Sequence, residues 1–276
     1  MKRSLMMTAL ILWVAGTARG QARHYELAID SAMQVRSPGQ PKPKEMTAVT
    51  LMSYGQDRKD DAEEVSIHSL QVKVSAEGKA LLDRFMSRER ASFQQGPETA
   101  TVMPFDQAPA SLQKILKEFD VPLARLTLDD RGAETERTIL VEKDSMLIEN
   151  GMLENALLMH PPYSADLERW EAPAKFSMGN NQFARGNLTY QKVGTEADGT
   201  VKVDVTGELK ADGKFGPADI KTAIYKVKGT QWFDPATKSW SSGQWGVDVT
   251  LELLVGGNPA GTTTGTMKLG LESKSK

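Results

Sequence analysis

No cysteine occurs anywhere in the 276 residues. Disulfide bracing and thiolate metal sites are excluded, and so is the lipid anchor that bacterial lipoproteins attach to a Cys behind their leader. Histidine is nearly as scarce. His24, His68 and His160 stand far apart, with no second histidine two to four residues from any of them. A zinc or copper site read from local spacing is excluded with them, and no metal is expected.

Catalytic signatures are missing too. There is no G-x-S-x-G elbow of the serine hydrolases. The GTTTG stretch at 261–265 lacks the Lys of a phosphate loop and reads as a turn region. Asp129-Asp130-Arg131-Gly132 sets a cation among would-be calcium ligands and is better explained as a turn. No motif asks for a cofactor, and no residue is assigned a catalytic role. Carboxylates that gather only in three dimensions keep a hydrolase open as an alternative.

Long apolar runs are absent with one exception, the LMMTALILWV stretch at 5–14. Lys2 and Arg3 precede it, and Ala15, Gly16, Ala18, Gly20 and Ala22 follow. That order is a secretory signal peptide, and the run is too short to span a bilayer. Ala18 and Gly20 suit a cut before Gln21, making residues 1–20 the leader; Gly20 and Ala22 suit a cut before Arg23. The expected address is secreted or periplasmic, with no transmembrane segment once the leader is gone.

Lys2, Arg3 and Arg19 leave with the leader, so 31 of the 34 basic residues remain against 36 acidic ones, a net charge of −5. Such a protein is not built to neutralise phosphates, and nucleic acid is not an expected partner.

What the chain does contain is a β pattern. Tyr25, Leu27, Ile29, Met33 and Val35 alternate with Glu26, Asp30, Gln34 and Arg36, which predicts a half-buried strand. Further strands are predicted at 45–54 and at 65–75, the latter with a bulge near Ser69. The polar run QDRKDDAEE at 56–64 reads as a solvated loop. Residues 80–93 fit either a helix or a long twisted strand. Leu112, Ile115, Leu116 and Phe119 make a helical stripe within 111–120. Segments 123–128 and 134–141 flank the Gly132 turn as a hairpin. A short helix at 151–159 is stopped by His160-Pro161-Pro162.

From Trp170 onward the reading is all β, with turns at Asp198-Gly199, Asp212-Gly213, Asp234-Pro235 and Gly256-Gly257-Asn258. Strands are expected at 171–177, 186–193, 200–209, 220–228, 231–233, 238–255 and 262–272. The fold class is therefore mainly β: a long antiparallel meander curled into a barrel, half-barrel or sandwich, with one or two short helices. An N-terminal half (21–160) and a C-terminal half (161–276) meet at the proline-rich stretch; one continuous domain over 21–276 also fits.

Trp232, Trp240 and Trp245 fall within fourteen residues, beside Phe233. An aromatic platform of this kind stacks on sugar rings, and the three are the candidate ligand-binding residues; core packing is their ordinary alternative. Register decides. A three-residue loop at 235–237 pairs Trp232 with Trp240, whereas a two- or four-residue loop puts them on opposite faces. Trp245 shares parity with Val247, Val249 and Leu251, which points it inward. Thirteen methionines suit irregular apolar cavities and equally serve as core filler.

The layout as a whole has an opening strand pair (25–35, 46–54), the 112–119 helix before the Gly132 turn, and Pro161-Pro162 leading into Trp170 and a meander. In this it resembles secreted and lipoprotein-like β-proteins of bacterial envelopes, a family without an assigned activity. The chain departs from the lipoprotein members in lacking the anchoring Cys, and the resemblance carries over no functional residue. It is similar in architecture to lipoprotein-carrier half-barrels, whose curled sheet encloses an apolar cavity; such likeness does not by itself give function.

The leading expectation is a non-enzymatic envelope protein that binds an apolar ligand or a protein partner, the candidates being a hydrophobic small molecule, a lipid or another envelope protein. Carbohydrate or cell-wall binding through the tryptophans is the alternative, and a hydrolase is the second.

Overall fold

The computed structural model describes residues 22–40, 42–59, 62–129, 133–142, 144–179 and 181–274. The leader at 1–20 and the turn residues Asp130, Arg131 and Gly132 lie outside the described residues. Among the described residues no helix is long and apolar enough to cross a membrane.

The chain is mainly β. A first meander comprises β1 (Ala22–Arg36), β2 (Lys44–Lys59), β3 (Ala62–Ala76), β4 (Lys79–Ser87), β5 (Arg90–Gln95) and β6 (Thr101–Pro104). A connecting segment carries α1 (Ala110–Leu116), the hairpin β7 (Pro122–Leu128) and β8 (Glu134–Ile139), then α2 (Met146–Glu149) and α3 (Met152–Leu158). A second meander runs through β9 (Arg169–Gly179), β10 (Gln182–Thr195), β11 (Val201–Lys210), the short β12 (Lys214–Phe215), β13 (Ala218–Asp234), β14 (Ser239–Val255) and β15 (Asn258–Lys274).

The first and last strands pair antiparallel, from His24 opposite Lys274 to Arg36 opposite Thr262. This fuses both meanders into one antiparallel sheet, ordered β6-β5-β4-β3-β2-β1-β15-β14-β13-β11-β10-β9. The sheet branches at β3, whose first residues pair with β7 and whose last pair with β4. It does not close, so β6 and β9 are edges. β6 is four residues long, and β9 carries Pro173, which has no N–H to offer a further strand. The α3 helix covers β9, where Asn155 Oδ1 accepts from the Ser177 N–H at 3.0 Å.

The core lies between one face of the sheet and the connecting segment. Tyr25 and Leu27 on β1, Tyr54 on β2, Ile67 on β3, Leu188 and Tyr190 on β10, and Leu116, Phe119, Leu147, Leu153 and Met159 from the connector are all fully buried. Each such large apolar side chain contributes about 1.5–3 kcal/mol by leaving water. The helical stripe is seen in α1, which buries Leu116 and half-buries Leu112 and Ile115. Gly151, at φ +64, is the hinge between α2 and α3; a Cβ there would lie 2.4 Å from Ser177 Oγ.

Three segments differ from the sequence reading. The polar run 56–64 is not a loop throughout: β2 continues to Lys59 and β3 starts at Ala62, with Arg58 opposite Glu63. Residues 80–93 are neither a helix nor one strand; β4 and β5 pair there, Met86 opposite Ala91. The break expected between 228 and 231 is absent, because Gly229 stays in β13 and lies under the Trp245 side chain; a Cβ on it would sit 2.6 Å from Trp245 Cδ1. The bulge in β3 falls at His68, where Ser53–Ser69 pairing passes to Tyr54–Ile67.

Candidate functional site

At the covered end of the sheet the core opens into a cleft of about 1000 Å³. Its polar wall is the inner face of β1, β2 and β3. Arg23 lies opposite Gln56, and Arg58, two residues further along β2, lies opposite Glu63. Alternation then continues on the same face to Tyr25 and Tyr54, so the cleft residues are the polar ends of core-forming strands. Leu126 and Leu128 of β7 border them, and Leu157 and Leu158 of α3 line the other side.

The aromatic wall comes from the 160–168 loop and the β13–β14 turn. Tyr163 stacks on Phe233 at 3.8 Å between centroids, and Trp240 meets Phe233 edge-on at 5.2 Å. Two indoles hold the Pro161-Pro162 turn: Trp240 Nε1 donates to the Pro161 carbonyl at 2.7 Å, and Trp170 Nε1 to the Pro162 carbonyl at 2.9 Å. Lys192 Nζ donates to the Ala165 carbonyl at 2.6 Å. The loop that forms this wall is thus fixed at three points by side chains of the second meander.

His160 closes the cleft's inner end. Its Nε2 shares a 2.6 Å hydrogen bond with the Tyr54 hydroxyl, and its ring stands edge-on to Tyr25 at 4.7 Å. Burial, with Arg23 adding, lowers its pKa to about 3, so the imidazole is neutral at ordinary pH. Burial drives the Tyr54 phenol well above its usual value and Tyr25 up to about 12. Glu63 is raised as well, chiefly by burial and against the pull of Arg23 and Arg58. Arg23 reaches across to donate to the Thr237 carbonyl, tying β1 to the β13–β14 turn. At the outer rim Glu154 binds Arg137 at 3.2 Å and Lys175 at 3.0 Å, while Glu134 holds the other end of Arg137.

The three candidate tryptophans are not brought together. Four residues, 235–238, separate Asp234 from its partner Ser239, and a bulge at Ser241 shifts the register so that Phe233 faces Trp240 and Trp232 faces Ser242. Trp240 is 3% exposed and lines the cleft. Trp245 is 2% exposed, packed among core strands. Trp232 alone lies in a shallow depression of about 630 Å³ with Asp198, Glu196, Ser242, Gln244 and Glu272. A flat platform of all three is therefore replaced by two indoles of the buried face and one on a separate surface.

Sequence reasoning missed Gln56, Arg58 and Glu63, because their charge pattern reads as solvent-facing. The signal that finds them is parity: Met52, Tyr54, Gln56 and Arg58 keep one alternation. His160 entered the sequence reading as a helix stop and as one of three histidines too scattered for a metal site. Among the described residues no methionine lines the cleft; Met52, Met86, Met159 and Met267 fill the core. Among the described residues no group of three or more His, Cys, Asp or Glu is placed to hold a metal ion.

No protein-family model matches this chain, and no curated protein sequence does. A solved structure from work on asymmetric conductivity of engineered proteins aligns over 91% of this chain and 100% of its own, with 9% identity and a TM-score of 0.20. A botulinum neurotoxin type C structure, from work on its interaction with two ganglioside molecules, aligns over 95% of this chain and 84% of its own, with 8% identity and a TM-score of 0.13. Neither likeness bears on fold or function at such scores.

Proposed function

We propose that this chain is a non-enzymatic binding protein that takes an amphiphilic molecule, a lipid or similar hydrophobic compound with a polar end, into the cleft. The observation that supports this is the two-sided lining. Leu157, Tyr163, Phe233 and Trp240 line the cleft of about 1000 Å³ together with Arg23, Gln56, Arg58 and Glu63. A volume of that order encloses most of a small ligand, and convergent polar groups orient it. The leader sequence assigns the work to the envelope, as a secreted or periplasmic protein.

Native mass spectrometry of the secreted chain with single-tailed amphiphiles tests the reading. One bound molecule per chain is expected. Ala174→Trp fills the cleft and should weaken binding by about tenfold or more, since the tail loses its space. Absence of any adduct, together with unchanged tryptophan fluorescence on titration, overturns the reading.

A second reading, carbohydrate binding, is favoured by one observation. Trp232 lies in its depression among carboxylates, hydroxyls and an amide, the groups that hold sugar hydroxyls. Quenching of Trp232 fluorescence by cell-wall glycans, lost in Trp232→Ala, tests it.

A further inference from the structure

We propose that the Arg137–Glu154 ion pair is a latch on the cleft: it holds strand β8 to helix α3, and its breaking widens the mouth through which a ligand passes. This rests on the amphiphile reading above and adds how the cleft is entered. Glu134 and Arg137 of β8 line one part of the cleft, and Glu154, Leu157 and Leu158 of α3 line another. Arg137 Nη1 donates to Glu154 Oε1 at 3.2 Å, which joins the two walls. Glu134, on the same strand, accepts from Nε and Nη2 of Arg137 at 2.9 and 2.6 Å, and so aims the guanidinium at α3. The Glu154 side chain is only 11% exposed, and the same Oε1 accepts from Lys175 of β9 at 3.0 Å. The carboxylate is thus fixed from the far side of the mouth, and Arg137 is the group that can let go.

Strand β8 is the part of the lining that can move. Five of its six residues are exposed, and Arg137 alone is half-buried. Among the described residues β8 pairs with β7 only, and its other edge carries no strand. Bonds at its two ends also run to β7: Thr135 Oγ1 donates to the Thr127 carbonyl and the Leu140 N–H to the Leu123 carbonyl. β7 itself is anchored, with Leu123 and Ala124 fully buried and the start of β3 paired along it. An element with few buried apolar contacts opens locally far more readily than the fold unfolds. The aromatic wall cannot serve in this way, because side-chain hydrogen bonds hold it at Pro161, Pro162 and Ala165. Opening therefore falls to β8, and the bond from Arg137 to Glu154 resists it.

The test uses dansyl-labelled undecanoate as the probe, released by an excess of unlabelled undecanoate and followed by loss of energy transfer from tryptophan. Arg137→Gln should speed release about fivefold or more and change affinity by less than about threefold, because entry quickens with release. Lys175→Gln leaves the Arg137–Glu154 pair in place and should stay within about twofold of the parent. Without probe, amide hydrogen exchange at 134–139 should quicken in Arg137→Gln and not in Lys175→Gln. A pair that served folding alone would lower the melting temperature and leave release unmoved. Release unchanged in Arg137→Gln, or quickened equally by Lys175→Gln, overturns the latch and leaves the amphiphile reading standing. Failure of the probe to bind the parent counts against the amphiphile reading, and the exchange at 134–139 then decides the latch: quickened exchange supports it, and unchanged exchange overturns it.

Discussion

Lowering the pH should withdraw stability from this fold through His160. Burial and Arg23 hold its pKa at about 3 in place of 6.5, so the folded protein takes up this proton far less readily than the unfolded chain. Stability due to the neutral ring is complete above pH 6.5 and is lost as pH falls toward 3. At pH 4 the unfolded ring has gained about 2.5 pH units of protonation, or about 3.4 kcal/mol. The residue borders the cleft and is only half-buried by surface, so water offsets part of this, and about 2 kcal/mol is expected. Urea unfolding at pH 7 and pH 4 measures it, with His160→Gln as the reference. Gln still accepts from the Tyr54 hydroxyl but cannot titrate. Between the two pH values the variant should lose about 2 kcal/mol less than the parent. Glu63 works in the opposite sense: its raised pKa stabilises the fold at low pH, and this is lost as pH rises through that pKa. Both proteins share it, so it cancels in the comparison. Equal losses in the two proteins would refute the reasoning.

Gly151→Ala should cost about 2–4 kcal/mol, from a left-handed residue with a Cβ and from contact with Ser177, read as a lowered urea midpoint. Trp245→Ala should cost about 3–5 kcal/mol as a core truncation, while Trp232→Ala should cost less than about 1.5 kcal/mol; acrylamide should quench Trp232 and spare Trp245.

The second meander was legible because its strands repeat one simple pattern. Val203 and Val205 alternate into the core, as do Val247, Val249 and Leu251, and tight turns such as Asp198-Gly199 mark where strands reverse. Parity alone placed Trp245 inside. The side of the sheet that Trp232 takes was open, since it depends on whether three or four residues make the turn before Ser239. Pairing of β1 with β15 was not legible: strands at the two ends of the described chain meet through packing, and non-local pairing leaves no local mark. The α2 helix was missed for a related reason. Its four residues gain a stable start from Glu118, which accepts from Ser145 Oγ at 2.8 Å and from the Leu147 N–H at 3.2 Å, a partner distant in sequence.

Hydropathy hid the cleft for a different cause. In a core-forming strand an inward Gln, Arg or Glu is costly unless something satisfies it. Reading QDRKDDAEE as solvated loop follows from that cost. The strands nevertheless continue, with Gln56 and Glu63 buried on the face that holds Tyr54 and Ile67. Leucine at those two positions would close the core and remove both desolvation penalties. Closure is instead withheld here, while Trp170, Trp240 and Lys192 fasten the opposite wall by hydrogen bonds to Pro162, Pro161 and Ala165. One wall is rigid and apolar, and the facing one is polar and incompletely paired. The proposed amphiphile site asks for this asymmetry, a fastened apolar wall for the tail and a polar wall for the head.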